Sequence, residues 1–120
     1  GLSSFSAHLA LLRTMLTAAG PATLLLLDEI ASGTDPAQGA PLAQAVLERM
    51  LEAGPRVVVT THYAQLKALA TVDSRFAVAA MQYVDGAPSY KVLHGVTGES
   101  HALSMAERMG LEAGLVARAE

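Results

Sequence analysis

The sequence predicts an α/β domain built on parallel strands, with an antiparallel hairpin added downstream. Three observations carry that expectation. Thr23-Leu24-Leu25-Leu26-Leu27 is a continuous apolar run between Gly20-Pro21 and a small-residue turn, the pattern of a strand buried on both faces of a parallel sheet. A second such run, Arg56-Val57-Val58-Val59-Thr60-Thr61, follows a segment of helical character, so the two strands and their connection read as one right-handed βαβ unit. Residues 76–84 and 89–93 are rich in Val, Ala, Tyr and Met and flank Asp85-Gly86-Ala87-Pro88, which is a hairpin signal.

The individual elements follow from local chemistry. Ser3 and Ser4 precede Phe5, Leu9, Leu12 and Leu16, apolar positions three or four apart, so a helix opens at the serines and closes at Gly20-Pro21. The serines suit an N-cap. Their hydroxyls, the exposed N–H groups and the helix dipole also suit an anion site, and both roles are compatible. Asp35-Pro36 resembles a cap followed by a first-turn proline, but Pro41 would remove an internal hydrogen bond. The expectation is therefore a short turn over residues 36–39 and a main helix from Pro41. Leu42, Val46, Met50 and Leu47 then form its buried stripe up to Gly54-Pro55. Residues 63–69 make a short helix and 71–74 a loop. Tyr83 and Tyr90 are expected as cross-strand partners. Residues 95–100 are glycine-rich without the Gly-Lys-Ser/Thr ending of a phosphate loop. Ser100 caps a helix carrying Leu103, Ala106 and Met109 and stopped by Gly110, and a last helix begins near Glu112.

Composition narrows the function classes. The 120 residues are 52% hydrophobic and 16% charged, which indicates a globular piece with surface to bury against something else. No apolar run approaches a membrane span, and residues 1–12 lack a basic region ahead of their apolar residues, unlike a signal peptide. The net charge is −3 and the eight Lys and Arg residues are scattered, whereas nucleic-acid surfaces need a clustered basic face. There is no cysteine. The four histidines, His8, His62, His94 and His101, show no recognised metal-ligand spacing beyond the loose proximity of the last two. Both ends look cut, so the chain is expected to be a fragment of something longer.

The chemistry concentrates at the ends of the two strands. Asp28 and Glu29 close the leucine run, where open α/β sheets place their ligands. In nucleotide hydrolases such a pair is a Walker B element, in which the first acid helps hold Mg²⁺ and the second orients or activates the attacking water. The βαβ unit puts His62, at the end of the second strand, beside both acids and within reach of a terminal phosphate.

Taken in order, four motifs resemble those of the MutS ATPases, which are ABC-type nucleotide hydrolases. Leu2-Ser3-Ser4-Phe5-Ser6-Ala7-His8 resembles the signature and Leu24-Leu25-Leu26-Leu27-Asp28-Glu29 the Walker B strand. Ser32-Gly33-Thr34-Asp35-Pro36 is similar to the D-loop, and Thr60-Thr61-His62-Tyr63 to the switch-histidine element. The Gly-Thr-Asp-Pro loop, and Ser-Ala-His after Phe5 where mismatch-repair members carry an acid, point to the bacterial MutS-two paralogues. Residues 90–96 and 100–102 are also similar to that group.

The resemblance covers nearly the whole chain. It implies a three-layer, mostly parallel sheet of the P-loop (ABC-ATPase) type, present here as an incomplete half-domain without the upstream Walker A loop. It further implies ATP and Mg²⁺ as cofactors. Asp28 would position the magnesium through water, Glu29 would polarise the attacking water, and His62 would contact the γ-phosphate. Ser3, with Ser4 beside it, would reach the nucleotide of the opposite subunit in a homodimer, with Asp35 at the same interface. The kin are cytoplasmic bacterial proteins that bind branched DNA, carry a nuclease module, restrain recombination and rescue stalled ribosomes. By itself the chain, lacking the phosphate loop, is expected neither to bind ATP tightly nor to hydrolyse it. The competing expectation is a catalytically silent ABC-like dimerisation or interaction module.

Overall fold

The computed structural model describes residues 2–97, 107 and 109–119. They fall into two compact units, Gly1–Asp73 and Ser74–Glu120.

The first unit opens with α1 (Leu2–Ala18). Leu12 is buried, and Phe5, His8, Met15 and Leu16 are half-buried on the same stripe. Leu9, expected on that stripe, lies at its exposed margin, and His8 takes the inward place instead. The serines correct the expectation as well. The helix already begins at Leu2, so Ser3 and Ser4 stand inside its first turn and not ahead of it. Thr23 N–H closes the following turn on the carbonyl of Gly20 (3.0 Å), so the helix ends before Gly20-Pro21 as its composition requires.

Strand β1 (Leu24–Leu27) and strand β2 (Arg56–Val59) pair in parallel, Leu24 with Arg56 through Leu27 with Val59. Hydrogen bonds from Arg56 to Thr23 and from Thr60 to Leu27 extend the ladder at both ends. The two strands form a sheet by themselves. Burial is one-sided: Leu25 and Leu27 are in the core, whereas Leu24 is 58% and Leu26 62% exposed. The expected two-sided burial is therefore not met within this unit. Alternation of side chains across a strand sends every second leucine to the opposite face, and only one face is covered.

The connection is α2 (Pro36–Glu52), one uninterrupted helix with Pro36 at its start and Pro41 inside. The expected break at Pro41 does not occur. Asp35 Oδ1 accepts the Ala37 N–H (3.0 Å), and the Asp35 carbonyl accepts from Gln38 and Gly39 (2.9 and 2.8 Å). The first turn is thus bonded before Pro41 is reached, and the proline forfeits one later bond only. The earlier start rotates the buried stripe to Gly39, Ala40, Ala43, Leu47 and Met50; Leu42 is exposed and Val46 only half-buried. Gly39 permits the closest approach, because a Cβ there would lie 2.5 Å from the Tyr63 hydroxyl and 2.9 Å from the Ala31 carbonyl oxygen. After β2 come two short helices, α3 (Ala64–Lys67) and α4 (Leu69–Val72), so the expected loop at residue 71 begins only after Val72.

The second unit holds β3 (Ala79–Val84) and β4 (Ala87–His94), an antiparallel pair. The hairpin turn is tighter than expected. Val84 pairs with Ala87, leaving only Asp85 and Gly86 between the strands, both at positive φ (52° and 77°), as a two-residue hairpin turn requires. Tyr83 pairs with Pro88, not Tyr90, and the register slips between Met81 and Tyr83. Tyr90 lies in that irregular stretch at φ 62° and is 81% exposed, so the two tyrosines are not partners. Helix α5 (Ala113–Ala119) starts one residue past Glu112, whose carbonyl accepts from Val116 (3.1 Å). Gly110 has φ 95°, and its N–H bonds back to Glu107 (3.1 Å); the helix it was expected to stop falls mostly on residues outside those described. Ser100, His101, Leu103 and Ala106 lie outside the described residues.

Candidate active site

The leading edge of the β1–β2 sheet is stitched together by Thr60, the first residue past β2. Its N–H donates to the Leu27 carbonyl (2.9 Å), and its own carbonyl accepts from Ile30 (3.4 Å). Its hydroxyl donates to Asp28 Oδ1 (2.7 Å) and accepts the Glu29 N–H (2.9 Å). One threonine thereby holds the Asp28 carboxylate and the Glu29 backbone. Glu29 adopts φ 55°, a left-handed conformation that a residue with a Cβ holds only under constraint. From there Glu29 Oε2 lies 2.9 Å from His62 Nδ1. His62 is positioned by the turn after β2, in which Thr61 Oγ1 accepts the Tyr63 N–H (3.0 Å), and its ring stands 4.9 Å from that of Tyr63.

Asp28, Glu29, Thr60 and His62 are all exposed to solvent. A carboxylate accepts, so the Glu29–His62 contact needs a proton on Nδ1, which leaves Nε2 on the outer side of the ring. The cluster thus presents two carboxylates and one imidazole nitrogen at the end of a parallel strand pair. Such a set can orient a water molecule and contact an anion.

The remaining expected residues are placed differently. Asp35 is also exposed, but its carboxylate caps α2. Ser3 and Ser4 ride on the first turn of α1; Ser4 is exposed, and the Ser3 side chain lies outside what is described. Neither Asp35 nor Ser4 belongs to the hydrogen-bonded cluster around Glu29. Phe5 nevertheless brings this end of α1 against the loop after β1, with its Cβ 3.8 Å from the position a Cβ on Gly33 would take.

Two residues carry more of the site than their sequence context indicates. Thr60 reads as a β-former at a strand end, and only its position across from Asp28 reveals the hydroxyl's task. His8 Nε2 accepts the Ala31 N–H (2.8 Å), while the buried Tyr63 hydroxyl donates to the Ala31 carbonyl (2.8 Å). His8 and His62 therefore have separate partners. Among the described residues, no three of His, Cys, Asp and Glu gather in a way that could hold a metal ion. No helix among them is long and apolar enough to cross a membrane.

Over residues 1–120 the chain matches the family model of MutS domain V. It is 49% identical to endonuclease MutS2 of Anaeromyxobacter sp. over 120 residues, 98% of this chain and 15% of that protein. With endonuclease MutS2 of Thermomicrobium roseum the identity is 47%, again over 98% of this chain and 15% of the relative. With that of Thermus thermophilus it is 45%, over 99% of this chain and 16% of the relative. The chain thus spans about 15% of the length of these curated relatives.

Proposed function

The chain belongs to the MutS domain V family, and on that premise we propose that it is the catalytic-edge half of an ATP-hydrolysing P-loop domain in a MutS2-type protein. The observation that carries this is the hydrogen-bonded set Asp28–Thr60–Glu29–His62 at the end of two parallel strands. Glu29 is the general base or water-orienting group. His62 engages Oε2, so Oε1 is available to take a proton from a water attacking the γ-phosphorus. Attack breaks the bond to the β-phosphate oxygen and releases ADP. His62 Nε2 faces the phosphate; when the ring is doubly protonated it donates to a γ-phosphate oxygen without releasing Glu29.

Asp28 fits magnesium, since an exposed carboxylate is the donor that this hard, water-retaining cation takes. Bound there, the ion would neutralise charge on the phosphates. The exposed Leu24 and Leu26, and Val58 opposite Leu26, support a third layer and further strands contributed by the phosphate-loop half of the domain. Ser3 and Ser4, at the N-terminal turn of α1, are the groups for the nucleotide of a partner copy, with Asp35 near the same interface. The relatives are named endonucleases, and we assign nuclease activity, binding of branched DNA, recombination control and ribosome rescue to other parts of a cytoplasmic parent.

The test is steady-state ATP turnover by the full-length protein carrying this sequence, against its Glu29→Gln variant. The amide keeps the shape and loses the base, so turnover falls at least about tenfold with Mg-ATP binding retained. Equal turnover would make Glu29 a polar strand exit, and the domain an interaction module.

A further inference from the structure

We propose that His8 is a positioning residue for Glu29, acting through the backbone of Ala31; this rests on Glu29 being the water-orienting group. Ala31 is 0% exposed and, like Glu29 two residues earlier, sits at φ 55°. Two residues with side chains in the left-handed region so close together need external constraint. Ser32 N–H closes the turn on the Glu29 carbonyl (3.2 Å), and Ile30 N–H reaches the Thr60 carbonyl (3.4 Å). Both bonds are long. The short ones are the Glu29 N–H to the Thr60 hydroxyl (2.9 Å) and two on Ala31, whose N–H donates to His8 Nε2 (2.8 Å) and whose carbonyl accepts from the Tyr63 hydroxyl (2.8 Å).

Ala31 is therefore a node at which three elements meet. His8 comes from α1, the helix that carries Ser3 and Ser4. Tyr63 directly follows His62, the partner of Glu29. A buried N–H with no acceptor is unfavourable, and rotating Ala31 out of the left-handed region relieves it. Such a rotation carries the Glu29 carboxylate away from His62. The acceptor is specific to one ring nitrogen, so the His8 ring must be neutral and carry its proton on Nδ1. Gln places its Oε1 where Nε2 stands and can serve as acceptor; Ala cannot.

The experiment uses the full-length protein with His8→Ala, His8→Gln, Tyr63→Phe and Glu29→Gln, read by ATPase kinetics and by hydrogen exchange in a peptide covering residues 28–34. For His8→Ala the expected result is about tenfold lower kcat with KM for ATP within about twofold of wild type, because only alignment is lost. Exchange at Ala31 rises about tenfold in the same variant. His8→Gln restores both readouts, and Tyr63→Phe, which keeps the ring, lowers kcat in the same direction. Unchanged exchange in His8→Ala overturns the proposal, as does raised exchange with unchanged kcat while Glu29→Gln is slow. If His8→Ala does not fold, His8→Gln at wild-type rate together with a slow Tyr63→Phe supports the node, and a wild-type rate for Tyr63→Phe overturns it. Wild-type turnover in Glu29→Gln removes the hydrolytic assignment of Glu29 and the proposal built on it, whatever the exchange data show.

Discussion

Thr60 shows how much of the site depends on a residue with no charge. Its hydroxyl donates to the Asp28 carboxylate and accepts the Glu29 backbone N–H at once, so it aims one acid directly and fixes the backbone from which the other projects. Thr60→Val keeps the shape and the β-branched preference while removing donor and acceptor together. The full-length variant should lose about tenfold in kcat through misalignment, with a stability change of about 1–2 kcal/mol at an exposed site. Parallel measurement of turnover and urea denaturation checks this; equal losses in Thr60→Ser, which keeps the hydroxyl, would refute it. Glu29 and Ala31 add a second lesson at this scale. Each left-handed residue costs about 1–3 kcal/mol, and the bonds from Thr60, His8 and Tyr63 hold them there. Asp28, Glu29 and His62 were legible in the sequence, because charged or titratable groups directly after apolar runs stand out. Thr60 and His8 were not, since threonine is common at strand ends and a histidine on a helical stripe says nothing of which backbone group it will meet.

At the scale of the element, α2 depends on how its first turn is satisfied. Proline content alone points to a start at Pro41, yet the cap at Asp35 outweighs the one bond that Pro41 removes. Asp35→Ala should lower stability by about 1 kcal/mol, as loss of an N-cap does, while Asp35→Asn stays within a few tenths of wild type. Chemical denaturation distinguishes them. ATP turnover separates the cap from any part in the subunit interface, which would suffer in Asp35→Asn as well. The hairpin teaches the same point from the other side. Asp85-Gly86 is a residue pair that a two-residue turn favours, but the register slip between Met81 and Tyr83 follows from pairing across the strands, which no local propensity encodes.

At the scale of the whole molecule, the open face of the β1–β2 sheet is the feature to test. Leu24, Leu26 and Val58 are exposed within this chain, and the proposed phosphate-loop half would cover them. Leu26→Asp should then destabilise the full-length protein by more than about 2 kcal/mol, because a carboxylate would be buried without a partner. A thermal midpoint equal to wild type would show that the face stays in water. By itself the sequence determined the parallel strand pair, the adjacency of Asp28, Glu29 and His62, and the kinship with MutS domain V, because runs, motif order and polar strand ends are local or linear signals. Only the tertiary structure decided which leucines are buried, which phase of α2 packs inward, and that His8 and Tyr63 grip Ala31 from either side. Those outcomes depend on which groups meet across the fold, where covering one sheet face and pairing one buried N–H are settled by neighbours distant in the chain.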